Sequence, residues 1–159
     1  MKHFEHISKG ITHLVTRWEP ILQGLPEKLI STRKNRQQRT IKQILGHMID
    51  SVSNNRHRAI YLQYEKSPLI YPNYAIDGNN DRWIAIQDYQ NADWNNLIQL
   101  WKYANIHYAH IIGNVDNSKL SNVWHYNEKK TISLEEMITD YLRHLKLHLD
   151  EIDELIQAD

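Results

Sequence analysis

Residues 133–156 read SLEEMITDYLRHLKLHLDEIDELI, and their spacing decides the fold class. Leu134, Ile138, Leu142, Leu145, Leu149, Ile152 and Ile156 recur at steps of three and four, the period of a helix with one apolar face. Ser133, followed three residues later by Glu136, is a capping box and predicts the start of that helix. A helix with a single apolar face needs partners to bury it against.

Three further segments carry the same signature. Thr40 and Gln43 form a second capping box ahead of Ile41, Ile44, Leu45, Met48, Ile49 and Val52, predicting a helix from Thr40 to about Tyr64. Ile7, Ile11, Leu14, Val15, Trp18, Ile21 and Leu22 predict one from about Phe4 to Gln23, with Pro20 expected to kink it and Gly24 and Pro26 to end it. Leu97, Trp101, Ala104, Tyr108 and Ile111, behind Asp93 as N-cap, predict one from about Trp94 to Gly113. Residues 24–39 read as a polar loop. Ser67-Pro68 and Tyr71-Pro72 break the chain, and the connection from Pro68 to Asn91 is too long for a turn, which suits a lid or wall around a site. The expectation is an all-α four-helix bundle with long connections, residues 1–159 forming one domain.

Composition narrows the function. Nineteen Lys plus Arg balance nineteen Asp plus Glu, so no net positive field attracts nucleic acid or anionic lipid. The most basic stretch, Arg33 to Arg39, lacks aromatics to stack bases and reads as a solvated loop. The absence of cysteine excludes disulfides, thiolate nucleophiles and cysteine-bound metal, leaving His, Asp and Glu as ligands. Met1-Lys2-His3-Phe4-Glu5-His6 has no apolar signal core, and no apolar run is long enough to span a bilayer; a soluble cytoplasmic protein is expected.

Ten histidines require a geometric choice. At about 100° per residue, His144 and His148 lie one turn apart, beside the apolar stripe of the fourth predicted helix. On the second, His47, Ser51, Asn54 and Arg58 form a polar line at the border of the core. If those two helices are neighbours, His47 faces His144 and His148 across the interior, as ligands do in metal-binding bundles. Three imidazoles suit a divalent ion such as Zn, Ni, Fe or Mn and leave positions open for chemistry. Leu145 follows His144 where a metalloprotease helix would carry its glutamate base, which argues against that class. His107 and His110 read as core-edge or surface residues, and His3, His6, His13, His57 and His125 as surface or loop. Trp83, Trp101 and Trp124 read as core anchors, and Arg58, by its residue type alone, as a surface charge.

The segment from Thr40 through Gly46, His47, Met48, Ile49 and Asp50 resembles the second-helix motif of the DinB-like superfamily, and Tyr141 through His144 to His148 and Leu149 resembles its fourth-helix motif. More narrowly, Asp50, Asn54 and Arg58, with Pro68-Leu69-Ile70-Tyr71 and Asp81-Arg82-Trp83, resemble its bacillithiol-transferase-like branch. The resemblance implies a four-helix bundle, often a homodimer, whose histidines hold a divalent metal, carried over here as His47, His144 and His148. It implies thiol S-transfer, with a low-molecular-weight thiol and an electrophilic small molecule as partners. Asp50, Asn54 and Arg58 are the accompanying catalytic candidates, Asp50 beside the ligands and the other two orienting an anionic or amide group. Leu147 and Glu151 stand where that branch often carries further imidazoles. Metal-assisted hydrolysis, and a non-catalytic bundle with a structural metal, remain the alternatives.

Overall fold

A computed structural model describes residues 3–158; Met1 and Lys2, part of the amino-terminal stretch read above, and Asp159 lie outside it. Six helices are described: α1 (Glu5–Gln23), α2 (Glu27–Thr32), α3 (Ile41–Tyr64), α4 (Asn79–Ile86), α5 (Trp94–Ile112) and α6 (Leu134–Gln157). A two-stranded antiparallel hairpin, β1 (Val123–Asn127) and β2 (Lys130–Ser133), precedes α6.

The four long helices start where their sequence signals place them. The Thr40 hydroxyl accepts from the Gln43 amide at 3.3 Å while the Gln43 side chain accepts from the Thr40 amide at 3.0 Å. Ser133 and Glu136 repeat this reciprocal pair at α6, at 3.1 and 2.8 Å. Asp93 accepts from the Asn96 amide at 2.8 Å and opens α5. Each bond satisfies a backbone donor that the first helical turn leaves without a partner. Pro20 lies inside α1, which continues to Gln23.

Packing closes the four into a ring. α5 lies against α1 and α3, and α6 lies against the other sides of the same two helices. Ile11, Leu22, Ile41, Leu45, Ile98, Trp101, Tyr108, Ile138 and Leu149 are fully buried within this core. The neighbouring of α3 and α6 is the condition on which the histidine site depends.

The connections hold structure that periodicity missed. The supposed polar loop contains α2, which buries Ile30, and the long connection contains α4, packed on α3. Both helices are too short to show a periodic stripe. The hairpin lacks an Asn-Gly or Asp-Gly turn and carries an irregularity between His125 and Asn127, so its alternation is weak. Its Trp124 pairs with Leu69 in an isolated bridge, which ties the hairpin to the long connection.

The basic run is only partly solvated. Lys34, Arg36, Gln37 and Gln38 are exposed, but Arg33 donates to the carbonyls of Leu155, at 2.6 Å, and Ala158. A cation there satisfies the last acceptors of α6 and opposes its negative dipole end. Arg39 is buried and pairs with Asp81 at 2.8 Å. No helix among the described residues is long and apolar enough to cross a membrane.

Candidate metal centre

His47 enters from the second turn of α3, and His144 and His148 from two successive turns of α6. One ring nitrogen from each lies within 4.8 Å of the others. The Nε2 atoms of His144 and His148 are 3.2 Å apart, and the His47 ring centroid lies 4.7 Å from that of His148 and 6.2 Å from that of His144. Helix phase brings two of these rings together, and only the packing of α3 on α6 brings the third.

The neighbours of the rings set their chemistry. Glu151 Oε2 lies 3.0 Å from His148 Nδ1, so the carboxylate holds the proton on that nitrogen and leaves the Nε2 lone pair facing the other imidazoles. Glu151 thus supplies an orienting partner at a position where the resemblance led to the expectation of a further imidazole. Tyr74 Oη lies 3.4 Å from His47 Nδ1. Burial, aided by the facing His148, Arg39 and His144, pushes the His47 imidazole down to about 2, and burial with His148 pushes His144 down to about 4. Both rings are neutral near pH 7, the form that ligates metal.

This donor set fits a divalent ion. Nitrogens bound to zinc at about 2.0–2.1 Å in a tetrahedron lie about 3.3 Å apart, close to the separation of the two α6 nitrogens. Among the described residues, this is the group of metal-ligating side chains that converges.

The three rings line a cavity of about 630 Å³, within the usual range for small-molecule sites. Its walls come from α3, α6, the hairpin and the long connection, which contributes Asn73, Tyr74, Ala75 and Asn80. The expected wall is therefore present. Leu147, half exposed, stands on the α6 side.

The accompanying candidates separate. Arg58 lines the cavity and is 5% exposed, with its guanidinium carbon 4.1 Å from the centre of the Trp124 ring. It is not a surface charge, because the hairpin folds over it. Asp50 is buried and turned elsewhere: its Oδ1 accepts from Tyr89 at 2.6 Å and from Gln87 at 2.8 Å. Burial pushes its carboxyl up to about 6 against the opposing effect of those two bonds. Asn54 donates back to the Asp50 carbonyl at 2.9 Å. Neither Asp50 nor Asn54 is among the cavity-lining residues, because α4 and the turn after it occupy that side of α3.

Trp101 and Trp124 are core residues as expected, whereas Trp83 is 38% exposed and meets Tyr74 edge-on. His3, His6, His13, His57, His107 and His110 are exposed, and His125 is half-buried on β1. Tyr74, Glu151 and Arg39 were missed by sequence reasoning. For Glu151 the signal was available, since it lies one turn beyond His148 on the same face.

The histidine shifts predict acid instability of the metal-free protein. Their folded pKa values lie below the unfolded value of about 6.5, so their stabilisation is present above that pH and is lost as pH falls toward 4 for His144 and 2 for His47. Asp50 acts oppositely: its contribution is present below about 3.9 and is lost as pH rises through about 6. The two histidines outweigh one carboxyl, so urea titration is expected to show a loss of about 2 kcal/mol from pH 7 to pH 5. Equal or greater stability at pH 5 contradicts this accounting.

No family model and no curated protein sequence matches the chain. Among solved structures it is similar to YfiT from Bacillus subtilis, described as "a probable metal-dependent hydrolase with an unusual four-helix bundle topology". The TM-score is 0.81 at 18% sequence identity, over 94% of this chain and 83% of that one. Over nearly the whole chain the backbone thus has the four-helix bundle fold of YfiT, the architecture expected from the helix motifs.

Proposed function

We propose that the protein is a metal-dependent enzyme that transfers a thiol to an electrophilic small molecule, with His47, His144 and His148 holding one divalent ion. The observation that carries this reading is the convergence of three imidazoles on the wall of a cavity large enough for a small molecule. A divalent ion held by three imidazoles keeps positions open and lowers the pKa of a thiol or water bound there. Zn, Ni, Fe and Mn all suit the donor set.

The chain's own residues favour a thiol over water as nucleophile. The carboxylates lining the cavity are engaged: Glu136 caps α6, Asp140 pairs with Arg143 at 2.6 Å, and Glu151 holds His148. No free carboxylate stands by as general base among the described lining residues. A thiol, with an ordinary pKa of about 8.5, ionises more readily without one than water does at about 15.7. In transfer, the thiol proton passes to solvent, sulfur forms the new bond to carbon, and the leaving group departs with the electron pair of the bond that breaks. Glu151 and Tyr74 orient the ligand rings, and Arg58 holds a polar end of a reactant.

Hydrolysis is the second reading, supported by the description of YfiT. Metal-restored protein assayed with cysteine and an aromatic halide is expected to give saturable, metal-dependent thioether formation. Cleavage of a nitrophenyl ester without thiol, and no thioether formation, would move the assignment to hydrolysis. Metal binding with neither activity would leave a non-catalytic bundle.

A further inference from the structure

Among the described charged residues that line the cavity, Arg58 is the buried one without a hydrogen-bonded partner. Arg39 is bonded to Asp81, and Glu136, Asp140 and Glu151 are engaged as described. Lys130 is exposed and lies over the Tyr126 ring. Arg58 has no carboxylate and no hydrogen-bond acceptor among the described residues, and its Nε is buried without a partner. A buried guanidinium without a counter-charge is a costly arrangement, and stacking on Trp124 compensates for only part of it. No described residue accepts from the guanidinium N–H groups, so they are available to a bidentate oxyanion.

Eleven residues separate Arg58 from His47, so both lie on one face of α3, about three turns and roughly 16 Å apart along the axis. Both line the same cavity. Ser51 and Asn55 line the stretch between them, so the groove is polar along its α3 wall.

We propose that Arg58, stacked on Trp124, is an oxyanion-binding site, and that the cavity's ligand is an elongated molecule carrying a carboxylate or phosphate at the end remote from the three histidines. The placing of its reacting end at the histidines rests on the function proposed above; the anion site does not. The anion site and the three histidines therefore stand at opposite ends of one groove, and the span selects against short anions that reach Arg58 alone.

The test uses the metal-free full chain and three probes of equal chain length: hexanoate, hexyl phosphate and hexanol. Calorimetry is expected to show one or both anions binding about tenfold or more tighter than the alcohol, the better one naming the head group. Arg58→Gln removes the preference, while Arg58→Lys, which keeps the charge but not the fork, retains part of it; thermal melting confirms that each variant folds. Equal binding of anions and alcohol to the unaltered protein overturns the site, as does a preference that survives in a folded Arg58→Gln. In the metal-loaded protein, mercaptohexanoate is expected to outbind hexanoate. If metal loading adds nothing while the anion preference holds, the thiol reading fails and the oxyanion site stands.

Discussion

Replacing His144 and His148 together with alanine is expected to reduce metal content from near one ion per chain to background while leaving the bundle folded. Both residues lie on α6, so the double variant removes two of the three converging nitrogens and leaves His47 alone. One imidazole does not retain a divalent ion against buffer. The helix itself tolerates the change, because alanine has the higher helical propensity and neither ring is part of the apolar core. Elemental analysis of variant and parent, with circular dichroism as the folding check, reads the result directly. Equal metal content in the two would remove the site from consideration. Glu151→Gln should give a graded effect, weakening affinity by about 10- to 100-fold, because the amide holds the His148 proton less firmly than the carboxylate does.

Gly46→Ala is expected to destabilise the protein by about 3 kcal/mol, or about 6–12 °C in Tm. Helix propensity alone predicts the reverse, since alanine in a helix interior gains about 1 kcal/mol over glycine. The surroundings decide the sign. A Cβ at position 46 would stand 2.2 Å from Cδ2 and 2.3 Å from Cγ of Tyr89, atoms next to the point where the ring is attached. The ring cannot swing away from such a contact without moving its backbone. Tyr89 is also buried, and its hydroxyl donates to Asp50, whose Oδ2 already lacks a partner. Displacing the ring would leave the carboxyl with still less compensation for its burial. Gly10→Ala is the matched control: the new Cβ there meets the methyl ends of Leu142, a partly buried side chain that can turn aside. Thermal melting of the two variants should separate them clearly, and equal Tm values would show that Tyr89 adapts.

Much of the site was readable from local spacing. His144 and His148 share a flank of α6 because they are four residues apart, and their side chains meet as that spacing requires. His47, one turn into α3, lies on the polar line that the apolar stripe implied. Asp50 illustrates the limit of the same arithmetic. It sits on the same helix three residues from His47, but helical phase does not reveal which neighbour covers each side, and α4 brings Tyr89 and Gln87 to meet it. Arg58 shows the converse, since a residue type that is usually exposed is buried here by a hairpin distant in sequence.

The sequence by itself determined the four long helices, the capped starts of α3, α5 and α6, and the flank on which each of the three histidines projects. These are local properties, set by 3.6-residue periodicity and by hydrogen bonds between residues three apart. Only the tertiary structure decided that α3 lies beside α6, that Glu151 rather than another imidazole orients His148, and that Arg58 faces the cavity unpaired. Those facts depend on contacts between segments far apart in the chain, where burial and the identity of the covering group, rather than local propensity, govern what a side chain can do.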